Sequence, residues 1–247
     1  MHNNSSEEIF DYSKNTMTSA QIAELKETMH KEFESIYELC YFIMKSYIEN
    51  PSQVRFSLIE ACIRTLHAFL SWIPLGYIFL TDLIDVILAL FEFKELKPMA
   101  LKCLIEIVIL SVDGCSEEEG KKIKEQIFKL YSGFIYKLSA FIPAELSLQQ
   151  ERMKLEKQKS HNLTAFDQFC QQLALFFSGF LKTHLPWIEP LANNTANPDQ
   201  MAVIELIKKG FAYLVQLSYL PDVTFKICVD YWYEFTNYLL KNRKHFQ

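Results

Sequence analysis

Apolar residues recur at intervals of three and four through most of the chain, the spacing that gathers them on one face of an α-helix. Between Thr18 and Asn50 the stripe is Phe33, Ile36, Tyr37, Cys40, Ile43, Met44 and Tyr47, which predicts one long amphipathic helix. Pro51 then occupies a helix-start position, where its missing amide is no loss. Leu58, Ala61, Cys62, Thr65, Leu66 and Phe69 repeat the spacing in a second helix. A turn this short makes the two helices antiparallel. The run SWIPLGYIF at 71–79 breaks the pattern at Pro74 and Gly76, and its place between two hairpins points to packing rather than to an exposed binding loop. Thr81 can cap a third helix with Leu83, Ile84, Ile87, Leu88 and Phe91. After a turn at Phe93 to Lys97, a fourth helix carries Leu101, Leu104, Ile105 and Val108 and ends near Asp113–Gly114, where glycine permits the left-handed closing residue.

Acidic Glu117 to Glu119 favour the positive end of a fifth helix, which runs to Phe141 before Pro143. A sixth begins near Ala144. Its first part, LQQERMKLEKQKS, is charged on nearly every side and is expected to project or fray, with a break near Ser160; Phe166, Phe169, Cys170, Leu173, Phe176 and Phe177 then resume the stripe. PLANNTANP at 190–198 reads as a long loop. Met201, Ile204, Ile207, Phe211 and Leu214 mark a seventh helix, and after Pro221 an eighth buries Phe225, Cys228, Val229, Trp232 and Phe235.

The pattern predicts an all-α fold, an α-solenoid of about four stacked HEAT-type antiparallel hairpins in one continuous domain. The hairpins fall at 18–72, 79–113, 117–185 with the charged insertion, and 198–243. Residues 1–17 form a polar lead-in, the remnant of a preceding repeat. The last helix carries Tyr231, Trp232, Tyr233, Phe235 and Tyr238 on several sides, so a further repeat is expected to cover it.

Composition sharpens this picture by exclusion. Half of the residues are apolar, with only 6 Gly and 8 Pro among 247, which suits long unbroken helices around a continuous core. A net charge of -5, evenly mixed, argues against a nucleic-acid binder, which needs clustered Lys and Arg. Cys40, Cys62, Cys103, Cys115, Cys170 and Cys228 show no CxxC spacing and read as reduced, buried thiols of an intracellular protein. His2, His30, His67, His161, His184 and His245 lack metal-ligand spacing, so surface or capping roles are expected and neither a metal nor a cofactor. The most apolar stretch, Leu66 to Thr81, is too short for a membrane span and is followed by Asp82 and Asp85. The N-terminal residues lack the basic start and apolar centre of a secretory signal. With no nucleophile elbow, phosphate-binding glycine loop or pocketed carboxylate pair, the sequence does not read as an enzyme.

Particular strings carry a resemblance. SWIPLGYIF at 71–79, LKCLIEI at 101–107 and FKICVDYW at 225–232, with SSEEIFDYS at 5–13 and the spaced Glu32-Phe33, Ile36 and Leu39-Cys40, are similar in sequence and order to the exportin-1 family of nuclear export receptors. The family resemblance implies a ring of HEAT repeats that binds export-signal cargo together with the GTP form of the small GTPase Ran, shuttles between nucleus and cytoplasm, and meets nuclear pore proteins. It matches this chain to repeats five to eight, with the first, third, fifth and seventh helices outermost and the others facing Ran. The cargo groove lies outside the matched stretch. ERMKLEKQK at 151–159 and NNTAN at 193–197 depart from the better-known members.

Three pairs four residues apart, Glu60 with Arg64, Lys102 with Glu106 and Lys226 with Asp230, lie opposite the apolar stripes of the even-numbered helices. As plain solvated pairs each contributes a few tenths of a kcal/mol. In the light of the resemblance, Lys102, Glu106, Lys226 and Asp230 are the candidate Ran-facing contacts because they fall within the matching strings. A second reading is a helical-repeat scaffold that holds protein partners without Ran, since fold alone does not choose between these functions.

Overall fold

Every regular element is helical among the described residues, which in this computed structural model are 19–71, 73–111, 115–143, 146–192 and 198–242. Side chains are described at 33–71, 73–111, 115–143, 146–188 and 201–242. The lead-in 1–17, Trp72, Asp113–Gly114, Ala144 and NNTAN at 193–197 lie outside the described residues. Among the described residues ten α-helices follow in order: α1 Ser19–Glu49, α2 Phe56–Phe69, α3 Leu75–Phe79, α4 Leu83–Leu90, α5 Lys97–Val108, α6 Glu117–Phe141, α7 Leu148–Lys157, α8 Leu163–Ala192, α9 Pro198–Leu217 and α10 Asp222–Asn242. The all-α fold expected of a helical-repeat protein is thus present. The chain divides into two compact units, Met1–Cys62 and Ile63–Gln247.

In the first unit α1 buries Phe33, Tyr37, Cys40, Ile43, Met44 and Tyr47, the predicted stripe without Ile36, which is partly exposed at its margin. Pro51 opens a short 3-10 turn, Pro51–Gln53, instead of the second helix. The Asn50 side-chain oxygen starts that turn by accepting from the Ser52 amide at 3.3 Å and the Ser52 hydroxyl at 2.6 Å. Helix α2 begins only at Phe56, and its buried face is rotated by one residue. Leu58 is 45% exposed, while Ile59, Cys62, Ile63, Leu66 and Leu70 are buried. Both stripes satisfy the helical spacing and share Cys62 and Leu66, and a one-residue shift is a rotation of about 100°. Spacing admits both stripes, and packing against neighbouring elements decides which is inside.

In the second unit the helices lie in two rows. Helix α6 packs between α4 and α9, and α8 packs between α5 and α10; α4 with α5, and α9 with both α8 and α10, join the rows. The SWIPLGYIF run forms α3 and buries Ile73, Ile78 and Phe79. Thr81 links α3 to α4, its hydroxyl donating to the Tyr77 carbonyl at 2.7 Å and accepting from the Leu83 amide at 3.3 Å. Helix α6 starts with a capping box: the Ser116 hydroxyl accepts from the Glu119 amide, and the Glu119 carboxylate accepts from the Ser116 amide at 3.1 Å. Two orphan amides are satisfied there.

The charged run does not fray. It forms α7, with Leu148 buried and its amide donating to the Gln216 side chain at 3.3 Å. Arg152 makes a two-pronged bridge to Asp167 on α8, at 2.8 and 3.1 Å. One half-sheltered guanidinium does the anchoring that an apolar stripe would otherwise do. The break near Ser160 is a Schellman closure: the Ser160 amide reaches the Leu155 carbonyl at 2.9 Å and the Lys159 amide reaches Glu156 at 3.0 Å, with Lys159 left-handed at φ 48. Beyond it α8 continues through Pro186 and Pro190 to Ala192, so the expected loop at 190–198 starts later than its prolines suggest.

Between the rows lies an aromatic interior. Tyr131 of α6 stacks on Phe180 of α8 at 3.6 Å between ring centroids, Phe134 meets Phe176 at 4.0 Å, and Phe177 stacks on Tyr213 of α9 at 5.4 Å. The buried Tyr213 hydroxyl donates to the Ile142 carbonyl at 2.6 Å, just past the end of α6. Helix α5 ends at Val108, earlier than the Asp113–Gly114 signal suggests, and its terminal carbonyl is capped from α8. His184, 2% exposed, places Nε2 2.7 Å from the Val108 oxygen, while the Trp187 indole donates to Nδ1 at 3.1 Å. These partners fix a neutral ring with its proton on Nε2.

Two consequences are measurable. A Cβ at Gly210 would collide with the Tyr131 hydroxyl, and the ring is too tightly stacked to yield. Gly210→Ala should therefore lose about 2 kcal/mol of stability by overpacking, read as a lower urea midpoint, and Tyr131→Phe should recover part of that loss. For His184, burial lowers the pKa from 6.5 to about 4. Its stabilising contribution is full above pH 6.5 and is lost as pH falls toward 4, by about 3 kcal/mol in all. Urea titrations across that window should show this slope, and His184→Gln should flatten it.

Candidate functional site

The proposed contacts occupy the row formed by α5, α8 and α10. Lys102 is exposed and Glu106 half-buried on α5, and Lys226 and Asp230 are both exposed on α10. The apolar faces of these helices put them there: Leu101, Leu104 and Val108 turn inward from α5, as do Thr224, Cys228 and Tyr231 from α10. On α10 the buried face is again rotated by one residue from the expected one. Phe225, 49% exposed, and Val229 lie outside, and Trp232 and Phe235 are half-buried. Lys226 and Asp230 therefore border an exposed apolar strip of Phe225, Val229 and Tyr233.

The structure brings the four residues into one row but not into one cluster, because α8 separates α5 from α10. Among the described residues no ion pair joins Lys102 to Glu106 or Lys226 to Asp230. Glu106 instead faces His67 of α2, with 3.8 Å between its carboxylate and Nε2. Burial lowers the His67 pKa, with Glu106 opposing that shift and Lys102 adding to it. Further along the row Lys182 of α8 bridges to Glu234 of α10 at 2.8 Å. Neither His67–Glu106 nor Lys182–Glu234 was legible in spacing along a single helix. Both are contacts between helices distant in sequence, and such partners are fixed by packing rather than by the i,i+4 rule.

Beneath the Lys182–Glu234 bridge is a cavity of about 100 Å³, with Leu181, Leu185, Pro186, Tyr231 and Phe235 in its wall. The Tyr231 hydroxyl is buried without a hydrogen-bond partner among the described residues. The thiols nearest the interior are poor nucleophiles, since burial pushes Cys103 and Cys170 up to about 12. Among the described residues no three His, Cys, Asp or Glu side chains converge as metal ligands, and no helix is long and apolar enough to cross a membrane. What the row presents is exposed charge of both signs beside apolar side chains, a surface suited to recognition of another protein.

Comparison with known proteins adds sequence to this geometry. Residues 4–104 match the family model described as Exportin 1-like protein, and residues 205–239 match that of the chromosome region maintenance or exportin repeat. Protein EXPORTIN 1B of Arabidopsis thaliana is 36% identical over 241 residues, covering 97% of this chain and 20% of the relative. Exportin-1 of Schizosaccharomyces pombe is 31% identical over 92% of the chain and 18% of its own length, and Exportin-1 of Drosophila melanogaster 29% identical over 93% and 19%. The chain spans about a fifth of the length of the curated relatives it matches. With SWIPLGYIF inside one matched stretch, FKICVDYW inside the other, and plant, fungal and insect relatives aligned along more than nine-tenths of its residues, this helical chain belongs to the exportin-1 family.

Proposed function

We propose that this chain is a segment of a nuclear export receptor, a binding protein rather than an enzyme, which shuttles through the nuclear pore between nucleus and cytoplasm. It lends the receptor scaffold and part of the surface that faces Ran in its GTP form. Export-signal cargo is held by other parts of the whole receptor, and nuclear pore proteins are further partners. The observation that carries this reading is the alignment of 97% of the chain with an exportin. Within it, the repeat units are the hairpins at 18–72, 79–113, 117–185 and 198–243, and the contacts with Ran come from Lys102, Glu106, Lys226 and Asp230. Their support is that all four belong to the α5–α8–α10 row and that Lys102, Lys226 and Asp230 are exposed.

A second reading, a helical scaffold that holds partners without Ran, has its own support. Glu106 is already turned toward His67, and the Lys182–Glu234 bridge makes part of the row's charge internally satisfied. A graft separates the two readings. This chain is exchanged for the matching segment of full-length EXPORTIN 1B, and binding of Ran loaded with GTP is measured with and without the double reversal Lys102→Glu and Lys226→Glu. The export reading expects the reversal to weaken binding on the order of tenfold, equivalent to about 1.4 kcal/mol, mainly at low salt. Unchanged binding by a folded graft removes these lysines from the Ran surface and favours the scaffold.

A further inference from the structure

Helix α7 is docked by a narrow set of contacts. Of its ten residues only Leu148 is buried. The Leu148 amide donates to the Gln216 side chain of α9 at 3.3 Å, and the Arg152 guanidinium, its side chain 16% exposed, holds both carboxylate oxygens of Asp167 on α8 at 2.8 and 3.1 Å. The aromatic interior of the unit does without α7, because its rings come from α6, α8 and α9. The helix is also complete in itself. The Ser147 hydroxyl caps it by accepting from the Gln150 amide at 3.3 Å, Lys154 pairs with Glu151 at 2.6 Å, and Lys154 and Lys157 suit the negative end of its dipole. Pro143 stands before it, and left-handed Lys159 turns the chain after it.

We propose that α7 is a releasable strap, latched to α8 by the Arg152–Asp167 bridge, which opens as a unit while α6, α8 and α9 stay packed. Local opening is favoured where little apolar surface is buried, and one side chain is all that α7 buries. The latch also has somewhere to go. On release Arg152 keeps Glu156, one turn away on its own helix at 3.4 Å, and Asp167, already 37% exposed, returns to water. Neither charge is left buried and alone, which is the circumstance that makes breaking an ion pair expensive. Loss of the Leu148 contact and of its bond to Gln216 opposes opening, so the closed state is favoured.

Opening has two consequences. A helix of ten residues is too short to persist in water without a surface to pack on, so the released strap melts and its amides exchange with solvent. It also frees the Asp167 carboxylate on α8 and the Gln216 side chain on α9 from the groups that occupy them in the closed state.

Hydrogen exchange of the full chain, read by mass spectrometry on peptides from α6, α7 and α8, tests the strap. In the unaltered chain the α7 amides should exchange at least about tenfold faster than those of Ile127–Leu138 and Leu173–Leu181, and low urea should scarcely change the α7 rate, because a local opening exposes little surface. Asp167→Asn and Arg152→Met should each speed α7 exchange a further fivefold or so by removing the latch, with exchange in α6 and α8 unchanged. The urea dependence needs no substitution, so it stands even if a variant folds poorly. Exchange of α7 at the same rate and with the same urea dependence as α6 and α8 would overturn the proposal, since α7 would then open only when the whole unit unfolds. Folded variants that leave α7 exchange unaltered would remove Arg152–Asp167 as the latch and overturn it equally.

Discussion

The close approach of α6, α8 and α9 around their aromatic side chains governs the second unit. Tyr131, Phe134, Phe176, Phe177, Phe180 and Tyr213 fill the space between the two rows of helices, and aromatics buried this fully are worth about 3–5 kcal/mol each against truncation to alanine. Such stacking needs relief at particular backbone positions. Gly210 of α9 faces the Tyr131 hydroxyl, and Gly179 of α8 leaves only 2.7 Å between a built Cβ and the Ile109 side chain. Neither glycine closes a helix. Each lies inside one and accepts the propensity penalty of about 1 kcal/mol so that a neighbouring side chain can come close. The thirty residues of α8 can then touch α5, α9 and α10 together.

A stack held by side chains from one central helix must also deal with the helix ends it buries. Three of the polar contacts in this unit do that work. His184 caps the last turn of α5, Tyr213 reaches the Ile142 carbonyl beyond α6, and Gln216 accepts the Leu148 amide where α7 begins. Each donor or acceptor comes from a helix other than the one whose end it satisfies, so helix termination and tertiary packing are the same event here. A buried carbonyl or amide without such a partner would cost about 1–3 kcal/mol. These contacts therefore specify which helix lies against which, more than hydrophobic area alone does.

That coupling explains what the sequence made legible. The stripe of α4, Leu83, Ile84, Ile87, Leu88 and Phe91, is buried throughout, and the span of α6 agrees with the acidic start at Glu117 and the stop before Pro143. Where apolar residues cover more than half of a helix, as on α2 and α10, spacing admits two faces one residue apart, and only the neighbouring helix chooses. The true end of α5 was hidden because its cap, His184, lies 76 residues away. Helix α7 was misread because its anchor is an arginine, and its polarity along the chain is the same whether it projects or docks. Lys102, Lys226 and Asp230 were legible as exposed charges. Their partners were not: Glu106 looked paired with Lys102 and instead faces His67.

The distribution of charge bears on how such a chain meets a partner. Exposed ion pairs contribute little to stability, about 0–1 kcal/mol, so Lys129–Asp85 and Lys137–Glu92, which link α4 to α6, tie neighbouring helices without deciding the fold. On the α5–α8–α10 row the pattern differs. Lys182–Glu234 ties two helices in the same way, whereas Lys102, Lys226 and Asp230 are left in solvent. An unpaired exposed charge loses nothing by staying free and gains on meeting its opposite, so its energetic consequence falls on association rather than on folding. The row is thus tied where it is bridged and carries solvated charge where it is not, and these charged positions flank α8, the helix whose packing fixes their separation.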